Sequence, residues 1–170
     1  MNSSDSLVNQ TVAPGWCSEE VSVLRIALMK FGIGQWKAIM KSQCLPGKTS
    51  AQLSSQTQRL LGQQSLAEYL HLHLDIDKVA AFNQSRTDVK RKANCIVNTG
   101  NNPDVQTLKA LREFNQERFG LSKVQVRKLQ LPRVSALSRL LAIQADPLTK
   151  LAQLHELEAK LQTLLANSTA

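Results

Sequence analysis

Four cationic side chains stand within seven residues of one another: Arg86, Lys90, Arg91 and Lys92. The sequence around them, RTDVKRKANCIVNTG, lacks helical apolar periodicity, so we expect an extended arm that becomes ordered on binding. Residues 86–139 contain 12 Lys and Arg against 4 Asp and Glu, whereas residues 1–85 contain 7 against 6. Such a concentration of positive charge predicts a polyanionic partner. The alternative is a flexible, solvated basic linker.

Residue types that serve catalysis or metal binding are present, but their spacing in the sequence does not match a catalytic or metal-binding motif. PGKTS at residues 46–50 is like the end of a phosphate-binding loop, yet Ser42 stands where that loop needs its first glycine. His71 and His73 are two positions apart, so on a helix they do not face one another. The three cysteines are far apart and form no CxxC pair. We therefore predict a protein that is not an enzyme and holds no metal or cofactor.

The composition predicts a small aliphatic core and no membrane segment. Hydrophobic residues make up 42% of the 170 residues, but aromatic residues only 4%. Apolar stretches fall far short of the roughly 20 residues that a membrane helix needs. The N-terminus, MNSSDSLVNQTVAPG, lacks the basic and apolar regions of a signal peptide. We expect a cytosolic or nuclear chain with neither a membrane nor a small molecule as its partner.

Helical spacing, capping residues and turn formers divide the chain into five segments. They are a polar tail at 1–14, a helical domain at 15–76, a basic extended arm or linker at 77–104, a helix–turn–helix-like hairpin at 105–131 and a C-terminal helical hairpin at 132–170. The last segment has leucines at three- and four-residue spacing between 154 and 164, which predicts a short packing seam. Strand signals are weak, so the predicted fold class is all-α.

The helical domain contains the most specific pattern in the chain. Its sequence GWCSEEVSVLRIALMKFGIGQWKAIM resembles a Myb/SANT repeat at nine positions: Trp16, Glu20, Leu24, Ala27, Phe31, Gly32, Gly34, Trp36 and Ile39. The resemblance covers roughly residues 15–62 and implies a three-helix, helix–turn–helix-like fold. The predicted core comprises Trp16, Leu24, Phe31, Trp36, Ile39, Leu53 and Leu60.

The sequence that follows, PGKTSAQLSSQTQRLLGQQSLAEY, is similar to a narrower group. These are small Myb- and homeobox-like proteins of ciliated and flagellated protists, among them a small subunit of the ciliate DNA N6-adenine methyltransferase complex. The similarity lies in Leu61-Gly62 followed by Glu68-Tyr69.

In the Myb family the third helix contacts the DNA bases. Here that helix has few side chains suited to binding DNA. The candidate recognition residues are Lys48, Gln52, Ser55, Gln56 and Arg59. Residues 50–58 carry no charge, and the family's third tryptophan aligns with Thr57. Glutamine and serine can contact bases, but they do not neutralise phosphates. The resemblance to SANT members, which bind proteins, fits this helix better.

A second, weaker resemblance lies at FGLSKVQVRKLQL, residues 119–131. It is similar to the turn and third-helix start of homeodomains, and it adds Arg127 and Lys128 to the predicted partner-binding cations. The aromatic core position falls on Leu129, however, and the base-reading asparagine would fall on Pro132, which stops the helix. We therefore interpret this segment as a helical hairpin with basic outer faces.

Two hypotheses for function follow. The preferred one is a non-catalytic structural component of a large assembly, a microtubule-associated protein of the ciliary or flagellar axoneme. Its Myb-like module would dock on neighbouring proteins while the basic arm lies along the acidic lattice of tubulin. The alternative is a subunit of a nuclear complex, such as a DNA adenine methyltransferase, that binds duplex DNA or chromatin. Localisation in the cilium or in the nucleus would separate the two.

Overall fold

Helices dominate the part of the chain that the computed structural model describes, residues 12–135 together with positions 155, 158 and 159. The helices between residues 12 and 135 are α1 (Ser18–Phe31), α2 (Trp36–Lys41), α3 (Ser50–Leu61), α4 (Ile76–Ser85), α5 (Val105–Phe119) and α6 (Lys123–Lys128). A two-stranded antiparallel sheet, β1 (Arg91–Lys92) and β2 (Cys95–Ile96), lies between α4 and α5. The fold is largely helical, and the prediction of a purely all-α chain is wrong for this hairpin.

Helices α1, α2 and α3 enclose the centre of the core. Five of the seven predicted core residues are buried: Trp16, Leu24, Ile39, Leu53 and Leu60. Phe31 and Trp36 only pack against the core and are half-buried. The prediction was too strong for these two and did not include Ile33 and Tyr69, which are almost fully buried.

Helix α4 lies where the sequence predicted an extended arm. The Asp75 side chain caps it by accepting a hydrogen bond from the backbone N–H of Lys78. Ile76, Val79 and Asn83 are buried on its inner face. The predicted arm at 77–104 is therefore wrong over its first nine residues, because three inward side chains at helical spacing, one of them polar, suffice to hold this helix on the core.

The hairpin that follows α4 is attached to the C-terminal end of α3. Ala93 and Asn94 form its turn with φ angles of 47° and 65°, the left-handed pair that a tight two-residue hairpin requires. The backbone N–H of Ile96 donates to the Gly62 carbonyl at 2.8 Å, and the Ile96 carbonyl accepts from Gln64 N–H at 2.9 Å. These bonds fix residues 90–97 on the domain, so here too the predicted extended arm is wrong.

Helices α5 and α6 pack on the domain, with Gly120 between them. The carbonyl of Phe119 accepts from the N–H of Asp75 at 2.9 Å, and the N–H of Leu121 donates to the His73 carbonyl at 2.8 Å. The side chains of Asp104 and Ser122 cap the two helices. Phe119 joins the core of the first three helices, so residues 105–131 do not form a core of their own.

Residues 129–135, which we call the strap, run back along α1. The Leu129 carbonyl accepts from Lys30 Nζ at 2.6 Å near the C-terminal end of α1. Six residues later, the N–H of Ser135 donates to Glu19 Oε1 at 3.2 Å near the opposite end. Val134 is buried between these points.

The remaining predictions for the two ends of the chain lie outside the described residues. These are most of the polar tail at 1–14 and, beyond Ser135, the C-terminal helical hairpin at 132–170 with its leucine seam. Among the residues that are described, no helix combines the length and apolar character needed to cross a bilayer.

Candidate functional site

Helix α3, the predicted recognition helix, has one buried and one exposed face. Its inner face contributes Leu53, Gln56, Thr57, Leu60 and Leu61 to the interior. Its exposed side chains include Gln52, Ser55 and Arg59, at three- and four-residue spacing. The outward face is polar and has no large apolar side chain.

Two of the predicted recognition residues serve the fold instead. Gln56 is fully buried, and its Oε1 accepts a hydrogen bond from the backbone N–H of Ala13 at 3.0 Å. Lys48 Nζ lies 2.8 Å from Glu20 Oε2 and 4.6 Å from the centre of the Trp16 ring. Gln56 is therefore buried away from any partner. The predicted contact role of Lys48 is weakened, because its ammonium group already has an ion pair within the domain.

The glutamines near the outward face of α3 also form hydrogen bonds within the domain. The Gln58 side-chain amide donates to the Gln64 carbonyl at 2.6 Å. Gln52 Oε1 accepts from the backbone N–H of Thr49 at 2.9 Å, which completes the cap of α3. The side-chain groups left for contacts with bases are the Gln52 amide N–H groups, the Ser55 hydroxyl and the Arg59 guanidinium.

The four cations of the predicted arm divide into two pairs. The Arg91 guanidinium donates to the carbonyls of Asn83 and Arg86, at 2.5 and 3.1 Å, and so caps the C-terminal end of α4. Arg86 pairs with Asp88 at 3.2 Å, and this hydrogen bond lowers the pKa of the Asp88 carboxyl. Their predicted role as partner-binding groups is therefore weakened, because internal acceptors already hold both guanidinium groups.

Lys90 and Lys92, by contrast, are exposed and have no ion pair or side-chain hydrogen bond within residues 12–135. Lys92 is directly opposite Cys95 in the sheet register, so the two side chains lie on the same face of the hairpin. Lys90 is two residues before Lys92 and shares that face.

The hairpin holds these lysines at the C-terminal end of α3, the end at which Arg59 lies. The thiol of Cys95 lies 3.6 Å from the Gln58 carbonyl in the last turns of α3. Burial raises the pKa of that thiol, while the positive charges of Arg59 and Arg91 act in the opposite direction. Gln52, Ser55, Arg59, Lys90 and Lys92 together form what we call the helix-and-hairpin surface.

The sequence predicted the recognition helix and the basic arm as separate features, and it did not indicate that Arg59 and the two lysines lie at the same end of α3. The signal it missed is the turn Ala93-Asn94 between KRK and CIV, since asparagine favours the left-handed conformation and Ile and Val favour strands. The docking of β2 on Gly62 depends on long-range backbone hydrogen bonds that no local pattern encodes.

The helix-and-hairpin surface lacks apolar anchors. The large hydrophobic side chains that are exposed within residues 12–135 are Val105, Phe114 and Val124, which lie on α5 and α6. Protein–protein interfaces usually have aromatic or apolar residues at their centre. The chemistry of this surface is therefore that of cations beside a polar helix.

Arg127 and Lys128, the other predicted partner-binding cations, lie on α6. Both are exposed. Helix α6 packs on α1, whereas the hairpin packs on the end of α3. The structure thus assigns these two cations to a different element from Lys90 and Lys92.

The histidines and acidic residues show no metal-binding arrangement within the described part of the chain. No group of three or more His, Cys, Asp or Glu side chains converges there. His73 Nδ1 lies 3.0 Å from the Met29 carbonyl, and His71 Nδ1 lies 2.8 Å from the Gln35 side-chain amide. Both imidazoles thus have internal hydrogen-bond partners.

Comparisons with protein-family models, with curated proteins and with solved structures find no match to this chain. Its resemblance to Myb/SANT repeats consequently depends on the positions named above.

Proposed function

We propose that this protein is a non-catalytic, Myb-like binding module that attaches to duplex DNA through the helix-and-hairpin surface. It would act as a DNA- or chromatin-binding subunit of a nuclear complex. The observation that carries this proposal is the hairpin itself, which holds the exposed Lys90 and Lys92 at the C-terminal end of α3, the end at which Arg59 lies. The major groove of B-DNA accommodates an α-helix, and flanking lysines can neutralise the phosphates along it.

The side chains of the surface favour binding that depends little on base sequence. Arg59, Lys90 and Lys92 supply three unpaired cations, whereas direct base contacts are left to Gln52, Ser55 and Arg59. Contacts to phosphates position a protein without specifying sequence. A larger assembly would then supply the sequence selection or the chemistry.

An acidic protein lattice is the second candidate partner, and microtubules of the cilium are the example that the sequence suggested. The absence of apolar anchors from the helix-and-hairpin surface also suits a purely electrostatic contact with acidic side chains. This candidate ranks second because its mechanism required a long extended arm, and residues 76–85 and 91–96 are instead folded as α4 and the hairpin.

A pair of titrations tests the proposal. Fluorescence anisotropy would measure binding to a labelled random-sequence duplex, and co-sedimentation would measure binding to microtubules, both at physiological salt. The variant Arg59→Ala/Lys90→Ala/Lys92→Ala removes the three cations of the surface. Every chain compared also carries Lys123→Ala/Arg127→Ala/Lys128→Ala/Arg133→Ala, which removes the exposed cations of α6 and the strap. In this background we expect the parent to bind duplex, and the triple variant to bind it at least tenfold more weakly, since each lost contact contributes about 1 kcal/mol.

The matched control is Lys37→Ala/Lys41→Ala/Lys109→Ala, which removes three exposed cations from α2 and α5. It has the same net charge as the test variant, so it should retain most of the duplex affinity if the contact is local. Equal losses in the two variants would contradict a defined site. Tight microtubule binding without duplex binding would replace DNA by the protein lattice.

A further inference from the structure

A second basic surface lies on α6 and the strap. Its cations are Lys123, Arg127, Lys128 and Arg133, all of them exposed. None of the four forms an ion pair or a side-chain hydrogen bond with another residue in the described part of the chain. Four cations without a neutralising carboxylate form a larger concentration of free charge than the three on the helix-and-hairpin surface.

This second surface is held firmly against the domain. At its start, Leu121 N–H donates to the His73 carbonyl at 2.8 Å, and Leu74 pairs with Gly120. In the middle, Lys30 Nζ donates to the Leu129 carbonyl at 2.6 Å. Further along, the buried Val134 side chain anchors the strap. The backbone that carries the four cations is therefore held in place before any partner binds, which lowers the entropic cost of binding.

The two basic surfaces belong to different parts of the fold. The strap follows α1, from Lys30 at one end to Glu19 at the other. The hairpin is bonded to Gly62 and Gln64, beyond the C-terminal end of α3. Helix α3 packs on α4, α2 and α1, whereas α6 packs on α1. The end of the strap also bonds to the segment between α2 and α3, where Val134 N–H donates to the Cys44 carbonyl at 3.4 Å.

We infer that α6 and the strap form a second site for a polyanion, and that this site takes a second DNA duplex while the helix-and-hairpin surface holds the first. This inference rests on the proposed function, because it assigns the same class of ligand to both surfaces. Four phosphate contacts give the second site a binding strength similar to that of the first. The protein then links two duplexes, or two segments of one long duplex.

The experiment counts short duplexes per full-length chain and measures bridging. Titration at low salt, above the dissociation constant, gives the stoichiometry. Bridging is the retention of a fluorescent duplex on beads that carry an unlabelled duplex. The test variant is Lys123→Ala/Arg127→Ala/Lys128→Ala/Arg133→Ala, and the comparison variant is Arg59→Ala/Lys90→Ala/Lys92→Ala. All seven side chains are exposed, and circular dichroism verifies that both variants remain folded.

We expect two duplexes per wild-type chain and strong bridging. Each variant should bind one duplex per chain and lose at least nine-tenths of the bridging. Counting duplexes per chain distinguishes two sites on one chain from a dimer with one site per chain.

One duplex per chain for the wild type, with no change in the α6-and-strap variant, would overturn the inference and leave the proposed function intact. No binding to the wild type would overturn both. If the α6-and-strap cations instead hold an acidic protein, labelled polyglutamate should bind the wild type but not this variant, and the second duplex should be absent. That result would also overturn the inference.

Discussion

At the scale of single residues, the contacts of Lys48 show how a candidate binding group becomes part of the fold. Its ammonium group lies between the Glu20 carboxylate and the Trp16 ring, and the side chains of the ion pair are only 10% and 5% exposed. Glu20 also accepts a hydrogen bond from Cys17 N–H at 3.1 Å, which caps α1. The pair therefore ties the start of α1 to the start of α3.

We predict that Lys48→Met lowers the free energy of unfolding by about 3–5 kcal/mol, because it leaves the Glu20 carboxylate buried without its counter-ion. Urea denaturation measures the change. The control is Lys48→Met/Glu20→Gln, which removes both charges but retains an acceptor for Cys17 N–H, and should recover most of the loss. If this folded double variant bound duplex tenfold more weakly, Lys48 would be a contact residue after all.

Tyr69 is the centre of a buried polar network. Its hydroxyl lies 2.9 Å from Gln63 Oε1 and 3.1 Å from the side-chain amide of Asn83, which also donates to the Leu61 carbonyl. Burial raises the pKa of this phenol, and the negative charge of Glu68 raises it further. The network joins α3, α4 and the segment between them.

Because the raised pKa belongs to the folded state, Tyr69 contributes stability that is complete below the unfolded pKa of about 10 and is lost as pH rises towards the folded value. We predict a loss approaching about 1.4 kcal/mol per pH unit in that range. Tyr69 is the single tyrosine, so phenolate absorbance reports on it directly. The native protein should titrate at higher pH than the urea-unfolded chain, and coincident titrations would contradict the network.

At the scale of elements, the sequence predicts helices well and the hairpin poorly, for physical reasons. Caps such as Thr49, Asp104 and Ser122 act locally, so their residue types mark the helix starts. The hairpin is two residue pairs long, and its place is set by Gly62 and Gln64, which are about thirty residues away in sequence. The charge pattern located the site residues, but only the folded chain shows which cations are free.

The hairpin turn offers a direct test of this element. Ala93 has φ of 47°, a left-handed conformation that disfavours side chains with a Cβ. We predict that Ala93→Gly stabilises the protein by roughly 0.5–1 kcal/mol in urea denaturation, after allowance for the greater flexibility of glycine when unfolded. The matched control is Ala110→Gly, in the exposed middle of α5, which should destabilise by about 1 kcal/mol. A loss at both positions would contradict the turn.

At the scale of the whole molecule, positive charge is in excess and unevenly distributed. Residues 12–135 contain 18 Lys and Arg against 9 Asp and Glu. Several of these cations already have a partner within the fold. Arg25, Lys48 and Arg86 form ion pairs with Asp77, Glu20 and Asp88, and Arg118 lies over the ring of Phe82. The cations that remain unpaired within residues 12–135 include three on the helix-and-hairpin surface, four on α6 and the strap, and Lys37 and Lys41 on α2. We therefore expect the number of free cations at a surface, rather than net charge, to determine the electrostatic part of binding.

Salt dependence counts those free cations and separates a folded hairpin from an extended arm. For duplex binding to the helix-and-hairpin surface, measured in the variant that lacks the four cations of α6 and the strap, we predict a plot of log K against log salt with a slope of about −3, since each neutralised phosphate contributes about −0.9. Lys90→Ala and Lys92→Ala should each make the slope shallower by about one unit.

Arg86→Ala, the control from the same segment, should leave the slope unchanged because Asp88 already neutralises that guanidinium. An extended arm would use all its cations alike, so equal changes for Arg86 and Lys92 would refute the folded hairpin as the binding element.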